Sequence, residues 1–184
     1  MPLLETVDLS VHYQSDDMSL RAVDKVNLKL ERGEKIGIVG ESGCGKSTLA
    51  LSIMQLLPKN ALISGKLLYD GKNIIDMTDD YVRGYRWKNV SMVFQGSMNS
   101  LNPVIRVGDQ LVEAMLIHDN VSKIEAKKRA EDLLRLVGLP DERMTSYPHE
   151  LSGGMKQRVV IAMSLMCSPD IIIADEPTTA LDVI

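Results

Sequence analysis

The stretch Gly40-Glu41-Ser42-Gly43-Cys44-Gly45-Lys46-Ser47, followed by Thr48, has the spacing G-x-x-x-x-G-K-S. Such a loop can wrap phosphate oxygens with main-chain N–H groups, and that demands small side chains. Cys44 fills one of those small-residue positions. The apolar run before the loop reads as a strand and the segment after it as a helix. That helix would aim unpaired N–H groups, carrying about half a positive charge, at the same anion. Lys46 would reach the β- and γ-phosphates of a nucleotide, and Ser47 would ligate Mg²⁺. A chance glycine-rich turn has no need of a strand before it and a helix after it.

A second constellation closes the chain. Ile171, Ile172, Ile173 and Ala174 run straight into Asp175 and Glu176. Two carboxylates at the carboxyl end of a buried strand stand where ligands bind in α/β sheets. Asp175 would hold Mg²⁺ through water, and Glu176 would act as general base on an attacking water. Alone, a strand ending in Asp-Glu is an ordinary loop start; beside a phosphate loop it is a catalytic candidate. A third element is "LSGGMKQR", Leu151 to Arg158. Ser152 is a good helix N-cap, yet Gly153 and Gly154 in the first turn cost about 1 kcal/mol each relative to Ala. Close approach of the backbone to an anion accounts for that cost. One phosphate loop already holds one side of a nucleotide, so this second anion site implies a nucleotide clamped between two protomers. Gln95 ends the strand "VSMVF", where a neutral amide can touch Mg²⁺ or the water. Tyr13 ends the first strand, where an edge aromatic and an adenine-stacking ring are equally good readings.

These groups need elements to carry them. The 184 residues suffice for one domain with its own core. Hydrophobic residues make up 45% and aromatics 4%, so the core is aliphatic with Met as filler. A net charge of −4 argues against nucleic acid as partner. Cys44 and Cys167 follow no metal spacing, which fits a reducing compartment. No apolar run approaches the roughly 18 residues of a membrane span.

Leu4 to Tyr13 and Ala22 to Leu30 alternate as strands, with a turn at "QSDDMS" between them. Lys35 to Val39 reads as a short buried strand. A helix follows from about Lys46 to Leu57, stopped by Pro58. Asp70-Gly71 marks a hairpin, and Val90 to Phe94 is a buried strand. Val107 to Val137 has helical spacing, and helix resumes from about Ser152 to Met166. Alternating strands and helices predict a parallel or mixed sheet covered on both faces.

In this order the motifs resemble the ATP-binding subunit of ABC transporters. The phosphate loop, Gln95, "LSGGMKQR", "IIIADEP" and "ALD" all match, across essentially the whole chain. "VFQGSMNSLNPV" and "YPHELSGGMKQRVVIAMSL" are similar to the dipeptide, oligopeptide and nickel importer subfamily. The resemblance implies an α/β fold of the P-loop NTPase type with a RecA-like core and an N-terminal antiparallel β subdomain. Residues 1–98 and 149–184 would form the nucleotide-binding core, and 99–148 an inserted helical subdomain. It implies that Tyr13 stacks on adenine and that Gln95 senses nucleotide and passes motion to membrane subunits. Ser152, Gly153 and Gly154 would contact the γ-phosphate of ATP held by the opposite subunit, and Asp182 would lie in a loop crossing the dimer interface. The implied cofactors are ATP and Mg²⁺. The implied partners are a second, homologous or identical ATPase subunit, two transmembrane permease subunits and an extracytoplasmic solute-binding protein. The place of work would be the cytoplasmic face of the membrane, with a peptide or similar small solute as cargo.

DNA-repair or chromosome-organising ATPases share these motifs but put a long coiled coil between loop and signature, and no sustained heptads occur here. A translation-factor ATPase would carry two cassettes and a basic linker. A nucleotide-binding fragment without turnover, and a cassette serving nickel, sugar or another solute, stay open. The family places a further strand and a γ-phosphate histidine after the "ALD" loop. The expectation is therefore a fragment lacking its C-terminal part, with a sheet gap between Lys35–Val39 and Ile171–Ala174, poor stability and poor turnover.

Overall fold

The computed structural model describes residues 1–15, 18–96 and 100–177. Its first compact unit spans Met1–Arg83 and its second Gly84–Ile184.

The first unit is built on long antiparallel strands. β1 (Leu4–Ser15) lies between β2 (Met18–Leu30) and β3 (Ala61–Tyr69), and β4 (Lys72–Asn73) extends the far edge. Leu4 and Thr6 are buried, then Leu9 and Val11, so the alternation changes phase. A bulge between Thr6 and Leu9 causes the shift, with Asp8 at φ 47. Asn27 locks the bulge: its Oδ1 accepts from Asp8 N at 2.9 Å and its Nδ2 donates to Asp8 Oδ1 at 3.1 Å. Gly65 faces it at φ 87, where an added Cβ would stand 2.4 Å from Asp8 O. The hairpin expected at Asp70-Gly71 is present, with Tyr69 paired to Lys72 and positive φ at both turn residues.

α1 (Lys46–Ile53) follows the phosphate loop and ends at Ile53 rather than Leu57. Gln55 adopts φ 52, and Leu56 N donates to Leu51 O at 2.9 Å. This left-handed cap ends the helix before Pro58 can.

Lys35–Val39 corrects the expectation of a buried strand. The segment forms no strand, and Ile36, Ile38 and Val39 are 40%, 48% and 95% exposed. Among the described residues no strand pairs with it. Apolar content alone does not make a strand, because its backbone groups need ladder partners to leave water.

In the second unit β5 (Val90–Val93) and β6 (Ile171–Ala174) pair in parallel, Val90 opposite Ile171 and Val93 opposite Ala174. α2 (Asp79–Lys88) leads into β5 through non-helical backbone at Arg86 and Trp87. The predicted helical stretch is two helices, α3 (Val107–His118) and α4 (Lys123–Leu136). Ser122 begins the second with a capping box: its hydroxyl accepts from Glu125 N at 3.2 Å while its own N–H reaches Glu125 Oε2 at 2.9 Å. α5 (Gly153–Ser164) packs with α3 and α4 around Leu111, Ala130, Leu134, Val159 and Met166, all fully buried. The expected mixed sheet is thus an antiparallel sheet of four strands and a separate parallel pair among the described residues.

Candidate functional site

The sequence-nominated residues fall into two groups, one in each unit. In the first unit the phosphate loop is shaped by two glycines. Gly43 and Gly45 stand at φ 80 and φ 97. A Cβ on Gly45 would lie 2.2 Å from the carbonyl oxygen of Ala22 in β2, so only glycine lets the loop approach the sheet. Gly40 is close to Cys44, whose sulfur would stand 2.7 Å from an added Cβ. Gly45 also caps α1, and its carbonyl accepts from Leu49 N at 2.9 Å. No acidic side chain occupies the first turn of α1 to offset its positive end. Lys46 Nζ bridges the loop, donating to Gly40 O and Glu41 O at 2.7 Å each. Those bonds hold the ammonium across the loop mouth beside exposed Glu41, Ser42, Gly43 and Ser47. Tyr13 belongs with this group: its hydroxyl donates to Thr48 Oγ1 at 3.4 Å. The end of β1 is thereby tied to the first turn of α1.

In the second unit the two parallel strands deliver their exits side by side. Asp175 N donates to Val93 O at 3.0 Å, continuing the ladder one residue past β6. Phe94 and Gln95 leave β5 at the same end. Gln95 Nε2 donates to Glu176 Oε2 at 2.5 Å. Glu176 is exposed and adopts φ 47, which turns the chain sharply after the half-buried Asp175. A buried residue of α5 that sequence reasoning did not single out, Gln157, donates from Nε2 to Pro177 O at 2.8 Å. Only its place within "LSGGMKQR" hinted at it.

Ser152 caps α5 as expected, its Oγ accepting from Met155 N at 3.3 Å. Ser152 and Gly153 are exposed, Gly154 has open space where a Cβ would project, and no acidic residue lies in the first turn. That end of α5 is chemically fit for an anion. Asp182 lies outside the described residues.

Residues 23–179 match the family model described as ABC transporter. The chain belongs to the ABC transporter family. Within that family it is similar to a probable peptide ABC transporter ATP-binding protein of Sinorhizobium fredii, 48% identical over 98% of this chain and 55% of that protein. The dipeptide transport ATP-binding protein of Bacillus subtilis is 49% identical over the same shares. The oligopeptide transport ATP-binding protein of Escherichia coli is 47% identical over 98% of this chain and 54% of that protein. The chain thus spans about half the length of the curated relatives it matches. A dimeric bacterial ABC transporter cassette superposes with a TM-score of 0.84 at 31% identity, over 97% of this chain and 76% of that one. A dimeric cassette in a post-hydrolysis state, bound to ADP and Pi, superposes with a TM-score of 0.85 at 31% identity, over 98% and 76%. The α/β cassette fold expected for an ABC ATPase is therefore the fold of this chain.

Proposed function

We propose that this chain is the nucleotide-binding and hydrolysing cassette of an ABC importer subunit, and that ATP turnover there drives uptake of peptides. The Gln95–Glu176 contact at the paired ends of β5 and β6 carries the ATPase reading. It places a carboxylate and a neutral amide where a strand exit can meet a nucleotide. Lys46 and the loop N–H groups bind the β- and γ-phosphates, and Tyr13 stacks on adenine. Glu176 takes the proton of the attacking water at its carboxylate, while Gln95 holds that carboxylate in line. The donors nominated for Mg²⁺ are all oxygens: the Ser47 hydroxyl, the Asp175 carboxylate and the Gln95 amide oxygen. They suit a hard cation, and Gln95 meets Glu176 through its nitrogen, not its oxygen. When bound, the ion would neutralise charge on the phosphate oxygens.

The peptide reading comes from the named relatives, which are peptide, dipeptide and oligopeptide transport proteins. By the same likeness we infer a dimer with a second ATPase subunit, in which Ser152, Gly153, Gly154 and Asp182 close on the nucleotide held by the opposite subunit. Residues 99–148 form its helical subdomain. Two permease subunits and an extracytoplasmic binding protein complete the transporter. The chain then works as a peripheral subunit on the cytoplasmic face, and no helix among the described residues is long and apolar enough to cross a membrane.

Two substitutions in the assembled transporter test the reading. Lys46→Ala removes a charge-assisted contact of about 1.5–3 kcal/mol, which weakens ATP binding about 10- to 150-fold. Glu176→Gln keeps size and hydrogen bonding but removes the base, so ATP binding persists while turnover falls about 10²- to 10⁴-fold. Unchanged ATP affinity in the first, or parental hydrolysis in the second, would refute the assignment.

A further inference from the structure

Gln157 is a polar side chain on the buried face of α5, 3% exposed among apolar neighbours such as Val159 and Val160. A buried amide there is explained by what it holds. Its Nε2–H donates to the carbonyl of Pro177 at 2.8 Å. Pro177 directly follows Glu176, whose φ of 47 is a conformation that side-chain-bearing residues rarely adopt. Such a backbone persists only where its surroundings over-determine it. Here they do so on both sides. Asp175 N is fixed to Val93 O on one side of Glu176, and Pro177 O is fixed to Gln157 on the other. Gln95 holds the carboxylate itself. Two of these three attachments come from β5 and its exit; only Gln157 comes from α5.

We propose that Gln157 is a positioning residue for Glu176: its bond to Pro177 O sets the turn that aims the carboxylate, and makes that aim depend on α5. This rests on Glu176 being the base, as argued above. α5 begins at Gly153, one turn before Gln157, and a helix transmits displacement along its axis as a rod.

The test uses the full-length protein in its transporter, with Gln157→Leu, Gln157→Glu and Glu176→Gln compared. Leu keeps the volume and loses the donor. Glu keeps the shape, loses the donor when ionised and regains one when protonated. Misplacement of a base by about 1 Å can cost a hundredfold. The expected result for Gln157→Leu is a kcat lowered about tenfold to a hundredfold with KM for ATP unchanged within about twofold. Gln157→Glu follows Leu at high pH and rises toward the parent as its carboxyl protonates, a rescue that Leu never shows. Parental kcat in Gln157→Leu overturns the proposal. So does a Gln157→Glu profile parallel to that of Leu at every pH, since the donor regained on protonation would then restore nothing. Should Gln157→Leu fail to fold, Gln157→Met, uncharged, of similar length and without a donor, takes its place with the same expected fall in kcat, and parental kcat there overturns the proposal. Parental hydrolysis in Glu176→Gln would instead remove the reading of Glu176 on which the proposal stands.

Discussion

Cys44 is exposed in the phosphate loop, with its sulfur 3.7 Å from Lys46 Nζ. Cys167 is 9% exposed and donates to Ala114 O at 3.8 Å. Burial pushes its thiol up to about 11, so about a thousandth of it is thiolate at pH 8. Iodoacetamide at pH 8 should therefore modify one thiol of the native chain quickly, at Cys44, and both after denaturation. MgATP should slow the reaction at Cys44 by covering the loop. Peptide mapping checks this, and equal rates at both cysteines would contradict the burial of Cys167. At this scale the sequence was legible wherever spacing dictates chemistry. Gly45 had to be glycine, and Ser152 had to cap. Gln95 and Glu176 were nominated separately, and the structure joins them. Gln157 was illegible because its role is a contact twenty residues away along the chain, and no local pattern marks that.

The capping box of α4 shows what a single helix start contributes. Ser122→Ala removes the hydroxyl that accepts from Glu125 N, and such a loss costs about 1 kcal/mol. Glu125 is held below its ordinary 4.5 by the backbone N–H of Ser122 and then by the Ser122 hydroxyl. A carboxylate depressed in the folded state contributes stability above its unfolded value and loses it as pH falls through the folded one. Thermal unfolding from pH 7 down to pH 3 should thus show the separation between wild type and Ser122→Ala narrowing below about 4.5 without closing, because the cap bond from Glu125 N to the hydroxyl does not titrate. A constant separation would mean that the bond from the Ser122 hydroxyl to the Glu125 carboxylate contributes nothing. Elements were readable where periodicity was long, as in β1, β2 and the two central helices, although the break at His118–Ser122 escaped a pattern that runs through it. α1 ends at Ile53, ahead of the expected Leu57, because Gln55 takes a left-handed φ of 52 that no local residue pattern marks, whereas Pro58 is a helix stop on sight. Lys35–Val39 was misread because burial is a property of partners, which a five-residue window does not contain.

At the level of the whole molecule, the relatives that superpose are dimers, and the exposed N-terminus of α5 suits a phosphate that another chain presents. Glu176→Gln at saturating MgATP should consequently run as a dimer in size-exclusion chromatography with light scattering, and as a monomer with ADP. A monomer that still holds ATP would remove the clamped-nucleotide arrangement. The fold class was open to reading because five motifs in fixed order constrain it more tightly than composition does. The sheet was not, since strand order depends on ladders between distant segments.

Lys35–Val39 also bears on how this chain behaves in a crowded solution. Its isoleucines and valine are β-branched, no proline interrupts them, and its backbone N–H and C=O groups have no strand beside them among the described residues. Those are the attributes of an adhesive edge, able to template a strand from whichever chain it meets. Collisions between folded copies then matter as much as unfolding. The expected outcome is aggregation whose initial rate rises with the square of protein concentration, which light scattering of a dilution series checks, and a rate first order in protein would point to unfolding instead.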